Sequence, residues 1–496
     1  MRFRTYSHSG PKEVDEILFS TQFDYFFPAA ARSAACLLVE DKDTVTGLKA
    51  LADLMGDPRN EGESIQETLD SPIPAIFTYL GQFIDHDITA RTDRESKLTT
   101  IGGAEVTPVN PDDVVKILRN GRRPELDLDS VFGDGPGLVR GHHPSETVSN
   151  DLYDDDFKLN VFERGRRIDV PRHEHTAIIA DGRNDENIMI SQIQARFLKL
   201  YNDVYAKQRG SLEARYVRAR QLVRWAYQYL VVEEYLKAVC DPGIVLDTLA
   251  NGPRFIGYSA GRGAAFMPLE FSVAGFRFGH SMIRPSYELN KFSGVVDVMK
   301  LLGTSGNPDN FDSQGQLVAE RMVDFERFVG RGPKVQFARR IDTQIARGLF
   351  ALPFEDRRNN EVLKHLARSN LLRGYNLSIP TGQAMADGFG VKPLTPEEMV
   401  LREHPDIVRV LEAHKFHKRT PLWYYVLREA AVQQRGKRLG ELGSRLVCET
   451  IIGLLKQDPN SYLNNQHDPA VRPLGIDVDP RGGNVGHIKE LSDVFL

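Results

Sequence analysis

Cysteine is scarce. The chain of 496 residues has three, Cys36, Cys240 and Cys448, odd in number and far apart. That excludes a disulfide framework and the paired spacing of a zinc motif. Long apolar runs are also missing: a bilayer span takes about 20 consecutive apolar residues, and no stretch approaches it. Met1 to Gly10 lack the apolar core of a secretory signal. Cytoplasmic residence is the simplest expectation, with export that cleaves no signal as the other. Nor is there an excess of one charge. Lys and Arg number 63 against 68 Asp and Glu, which excludes the basic footprint of a nucleic-acid surface. There is no internal repeat, and no Arg-Gly-Asp or Lys-Gly-Asp tripeptide.

What is present is an ordinary globular balance, 41% hydrophobic and 26% charged, enough for a large core. Length alone suggests about three domains. The aromatics Phe19, Phe23, Tyr25, Phe26 and Phe27 stand together before Pro28, so the arm over residues 1–45 is expected to bury them across the body. Leu48 to Met55 read as a short helix, and Gly56 to Asp70 as a polar loop. Ser71-Pro72-Ile73-Pro74 reads as a cap and first turn. It leads into the stretch that organises the chain, where Ile76, Phe77, Leu80, Phe83, Ile84 and Ile88 recur at helical steps. Gln82 and His86 share a face there, with Asp85 and Asp87 to either side of the histidine. A buried helix carrying these four polar groups must satisfy each of them. A ligand or metal would do so, and so would a hydrogen-bonded core histidine between solvated aspartates.

Residues 90–165 are rich in Gly and Pro and poor in helical periodicity. Within them, Arg123-Pro124-Glu125-Leu126-Asp127-Leu128-Asp129 alternates carboxylates on a loop. That pattern suits either a solvated acidic turn or a hard cation such as calcium. Ile178 to Asn187 opens a long helix with Arg183 and Glu186 near its start, and Arg215 to Val239 forms another. Phe276-Arg277-Phe278-Gly279-His280 places a histidine in an apolar, aromatic setting. Asn370-Leu371-Leu372-Arg373-Gly374 lies further on, followed by helices around Pro421–Arg435 and Leu442–Leu455. The Asp477–Leu496 tail has little periodicity until its last few residues.

Gly81-Gln82-Phe83-Ile84-Asp85-His86-Asp87 closely resembles the distal-histidine helix of the animal-type haem peroxidases, in the peroxidase–cyclooxygenase superfamily. The bacterial, peroxinectin-like branch is the most similar. Arg183-x-x-Glu186, Phe276-Arg277-Phe278-Gly279-His280 and Asn370-x-x-Arg373-Gly374 resemble three further family motifs in the family's order, and the likeness runs from about Asp43 to Tyr462. The resemblance overrides the length estimate. It implies a mainly α fold with one large helical domain over residues 46–465 enclosing a haem, and a tail over 466–496.

The same resemblance implies haem b, with His280 as proximal ligand to the iron, Asn370 holding its ring and Arg373 on a propionate. His86 would be the distal base, assisted by Arg183 and Gln82. Asp85 and Glu186 match the carboxylates that form ester links to the haem. Calcium would lie on Asp87, Asp127, the carbonyl of Glu125, Asp129 where many relatives have serine, and the carbonyl of Arg123, which replaces the family's threonine. The implied activity is reduction of hydrogen peroxide through a ferryl intermediate, with oxidation of a small donor. Asn187 follows Glu186 where some members have a sulfonium-forming methionine, so bromide, iodide, thiocyanate or aromatic donors are expected rather than chloride. A fatty-acid dioxygenase or peroxygenase is the alternative, yet Arg277 replaces the radical tyrosine of such enzymes. A non-catalytic haem-binding adhesion protein is the third, and the intact set Gln82, His86 and Arg183 argues against it.

Overall fold

The computed structural model describes residues 21–56, 69–90, 106–133, 135–136, 152–165, 167–256, 266–304, 307–353, 360–479 and 486–496. Helices dominate, and the strands are short pieces pinned among them. The first strand, β1 (Thr21–Asp24), pairs antiparallel with Arg119–Asn120 and parallel with Phe266–Pro268. It leads into the aromatic cluster, where Phe23, Tyr25 and Phe26 are buried. Phe27 packs edge-on against Phe255 and Phe389. Phe19 lies outside the described residues.

Helix α1 (Lys42–Leu54) begins earlier than the expected Leu48 because Asp41 caps it, accepting the Thr44 N–H at 2.6 Å. Of the expected loop from Gly56 to Asp70, residues 57–68 lie outside the described set.

Ser71-Pro72-Ile73-Pro74 is not a helix start. It belongs to β2 (Asp70–Pro74), which pairs antiparallel with β3 (Phe337–Arg339). Ser71 Oγ donates to the Ala338 carbonyl at 3.1 Å instead of capping a helix. The organising helix, α2 (Ile76–Ile88), starts after Ala75 without a side-chain cap. The Ile76 N–H is met by the Phe328 carbonyl at 3.3 Å, just after the 3₁₀ turn Phe325–Arg327, so a distant segment serves the helix end.

A second correction concerns residues 90–165, which include a helix over Pro111–Ile117. Asn110 accepts the Asp112 N–H at 2.9 Å, and the proline occupies the first turn.

Helix α3 (Ile188–Lys207) is capped by Asn187, and α4 (Leu212–Leu230) runs on through a π-helical turn, Val231–Leu236. α5 (Leu366–Asn376), α6 (Leu422–Gln434) and α7 (Glu441–Gln457) complete the main helices of the body. In the tail, Gly475–Asp477 pairs with His487–Ile488, and Phe495 packs on Phe325 and Phe197. Among the described residues no helix is long and apolar enough to cross a membrane.

Candidate active site

Helix α2 is buried along its length except at Gln82 and Asp85, which are half-buried. They are three residues apart, on one side of the helix. The opposite side packs on neighbours: Phe83 stacks on Phe197 of α3 at 5.0 Å and meets Tyr227 of α4 edge-on. α2 also packs on the 3₁₀ turn Gly275–His280, where Gly279 and His280 retain exposure. In α5, Arg373 and Gly374 do the same. Helix α2 thus packs on the turn that ends in His280, with Gln82 and Asp85 as its partly exposed positions.

On the α2 side, His86 Nδ1 lies 2.9 Å from Asn184 Oδ1, and Asn184 Nδ2 donates to Gln194 Oε1 at 2.9 Å. With that amide oxygen as acceptor, Nδ1 carries the ring proton and Nε2 keeps its lone pair. The nearest carboxylate oxygen, Glu186 Oε2, is 3.9 Å from Nε2, beyond hydrogen-bond reach. Burial lowers the pKa of His86 below its ordinary 6.5, and the Arg183 guanidinium lowers it further. Gln82 Oε1 accepts from Asn187 Nδ2 at 2.9 Å, and Asp85 Oδ1 accepts the Thr89 hydroxyl at 3.0 Å.

Arg183 closes the end of α2. Its Nη2 donates to the His86 carbonyl at 2.7 Å and its Nη1 to the Thr89 carbonyl at 2.8 Å, serving helix carbonyls left without a partner. Asp181 holds it from behind through Nε and Nη2. Asp181 is fully buried, yet Arg183 and Arg122 outweigh that burial and hold its carboxyl well below the usual carboxylate range. Together these bonds engage Nε, both Nη2 hydrogens and one on Nη1.

On the other side, Asn370 Nδ2 lies 2.8 Å from His280 Nδ1. A half-turn of that amide brings Oδ1 to Nδ1, the orientation that accepts a ring proton there and puts the lone pair on Nε2. Trp423 of α6 meets the imidazole edge-on at 6.4 Å and donates its indole N–H to the Arg277 carbonyl at 3.0 Å. Arg373 has no hydrogen bond or ion pair from its guanidinium among the described residues, and burial lowers its pKa to about 10.

Behind α2, Asp87, Asp127 and Asp129 bring carboxylate oxygens within 4.8 Å of one another. Leu126 and Leu128, at φ 49° and 58°, turn the loop inward in a conformation that non-glycine residues rarely adopt. Burial and the charge of Asp127 push Asp87 up to about 7. The Glu125 carbonyl accepts from Gln228 at 3.4 Å and Arg224 at 3.5 Å. Arg123 has no hydroxyl to offer. Arg122 stands 3.1 Å from Asp129 and pairs on its other side with Asp181.

Sequence reasoning missed Asn184, Gln194, Asp181, Arg122 and the bond from Asn187 to Gln82. Only Asp181 carried a local signal, as the cap of the 3₁₀ turn Gly182–Asp185.

The family described as animal haem peroxidase matches residues 151–460. No curated protein sequence matches the chain. Among solved structures, peroxidase A from Dictyostelium discoideum superposes with a TM-score of 0.63 at 15% identity, covering 96% of this chain and 92% of that one. Fatty acid alpha-dioxygenase of Oryza sativa gives 0.60 at 14% identity, over 92% of this chain and 79% of its own. The Arabidopsis thaliana fatty acid alpha-dioxygenase gives 0.61 at 14%, over 92% and 76%. At such identities the likeness is one of fold.

Proposed function

The chain belongs to the animal haem peroxidase family, and we propose that it reduces hydrogen peroxide and oxidises a small donor at a haem b held between His280 and His86. Haem binding and oxidoreductase chemistry follow from membership; the oxidant, the donor and the residue roles are our reading. The observation that carries it is the packing of α2, which bears Gln82 and His86 and is closed by Arg183, against the turn that ends in His280, and the haem cleft of this reading lies between them. Arg373 fits the group. This partly exposed residue has no counter-ion for its guanidinium among the described residues, and an anionic propionate would supply one through charged hydrogen bonds.

When bound, the haem iron would supply the electrons that reduce peroxide. His280 would hold the iron, and Asn370 would fix its ring by accepting the Nδ1 proton. His86 Nε2 takes a proton from the incoming peroxide and returns it to the departing oxygen. Its lowered pKa keeps the lone pair available in mildly acidic solution. Gln82 orients the peroxide, and the remaining Nη1 hydrogen of Arg183 meets the charge that develops on the leaving oxygen. Asp85 and Glu186 are the carboxylates placed for ester links, and haem retained by denatured protein would test them. Asp87, Asp127 and Asp129 would hold calcium. Asn187 leaves no sulfonium link, so bromide, iodide, thiocyanate and aromatic donors are the ones to screen. A dioxygenase reading finds no support at position 277, where Arg277 Nε donates to the Ser272 carbonyl at 3.1 Å and no phenol is present.

Protein supplied with haem should show the Soret band of a histidine-ligated ferric haem, lost or displaced in His280→Ala. One equivalent of hydrogen peroxide should then shift that band within the mixing time. A haem spectrum indifferent to peroxide would overturn the peroxidase reading, and absence of haem would overturn both.

A further inference from the structure

We infer that Asn187 sets the ligand preference of the cleft by fixing which end of the Gln82 amide faces it, an inference that rests on the haem reading above. Asn187 cannot turn its own amide. It caps α3, and its Oδ1 accepts the Ile190 N–H at 2.9 Å, which only the oxygen can do. Its Nδ2 therefore points the other way and donates to Gln82 Oε1 at 2.9 Å. With Oε1 occupied, Gln82 keeps two N–H donors on Nε2, and no acceptor for them is found among the described residues. Gln82 is one of the two residues of α2 that stay half-buried, so on the haem reading these donors face the cleft. One turn along, His86 presents the lone pair of Nε2. The amide end of the cleft thus serves small ligands that accept hydrogen bonds, namely peroxide oxygen and small monoanions such as azide and thiocyanate. It offers nothing to a ligand that only donates.

Asn187→Asp separates this role from the capping role. A carboxylate caps α3 as well as the amide does, so the fold is kept. Its second oxygen can only accept, and Gln82 must turn to donate Nε2 to it, leaving Oε1 toward the cleft. The added charge also repels anions, and the same substitution in a Gln82→Ala background measures that part alone.

Titration of the ferric haem protein with azide and with thiocyanate, read at the Soret band, gives the dissociation constants. Asn187→Asp should raise them about tenfold more in the Gln82 background than in the Gln82→Ala background, the weight of one hydrogen bond lost and one acceptor opposed. Asn187→Ser, neutral and still a cap but too short to reach Gln82, should raise them by a few-fold and carries the test if the aspartate variant does not fold. Equal effects in the two backgrounds, or none with either variant, would overturn the inference while the parent's Soret band and peroxide response still stood. Loss of those parent signals would instead indict the haem reading.

Discussion

A buried imidazole beside a guanidinium gives up its proton more readily than one in water, and His86 has both causes. Peroxide activation should therefore keep its base neutral below pH 6.5, with the acid limb of the rate profile lying under the ordinary histidine value. Asn184→Asp puts a carboxylate on Nδ1 and should move that limb upward by about one unit or more; stopped-flow rates across pH would show it. His86→Ala should keep haem and slow the peroxide reaction by roughly 10²–10⁴-fold, and an unchanged rate would remove the distal assignment. The sign for stability is the opposite of a stabilised histidine. The unfolded chain binds the proton that the buried ring resists, so this site costs stability as pH falls through 6.5. His86, Arg183 and His280 were visible in the sequence because their neighbours form short contiguous motifs. Asn184 was not, because a bond across 98 residues leaves no local trace.

Elements with local causes were legible, and those made by distant partners were not. The apolar stripes of α2, α3 and α4 gave them away. Ser71 had the composition of a cap, but a strand 267 residues downstream claimed its hydroxyl. The Pro111–Ile117 helix carried its cues openly in Asn110-Pro111-Asp112-Asp113, and the surrounding glycines and prolines obscured them. Close approach between elements was also hidden. The short helix Gly382–Phe389 meets α6 where a Cβ on Gly382 would lie 2.0 Å from Tyr425 Cγ. That is the root of the ring, not a flexible tip, and the Tyr425 hydroxyl is anchored by the Leu394 N–H at 2.8 Å. Gly382→Ala should therefore destabilise by about 1–3 kcal/mol or more through overpacking, seen as a lower urea midpoint. An unchanged midpoint would mean that the two helices can part without cost.

At the scale of the whole molecule, the acidic loop and the cleft form one charged chain. Asp129 meets Arg122, Arg122 pairs with Asp181, Asp181 holds Arg183, and Arg183 binds the carbonyls that end α2. The loop's likeness to a cation site was readable from its alternating carboxylates, whereas this relay joins segments 59 or more residues apart at Asp181 and His86. Without a cation, three carboxylates crowd within 4.8 Å, and burial with the charge of Asp127 pushes Asp87 up to about 7. An ion that binds only the folded chain stabilises it by about 4 kcal/mol at a thousandfold excess over its dissociation constant. Chelation should accordingly lower the melting temperature, and calcium added back should restore it. Because the relay ends on the carbonyls beside His86, chelation should also slow the peroxide reaction before haem is lost. Asp127→Asn, which leaves α2 itself untouched, should abolish both responses to calcium. If metal analysis of purified protein found no ion and chelator left melting unchanged, the cluster would be a buried ion network centred on Arg122, and the calcium assignment would fall.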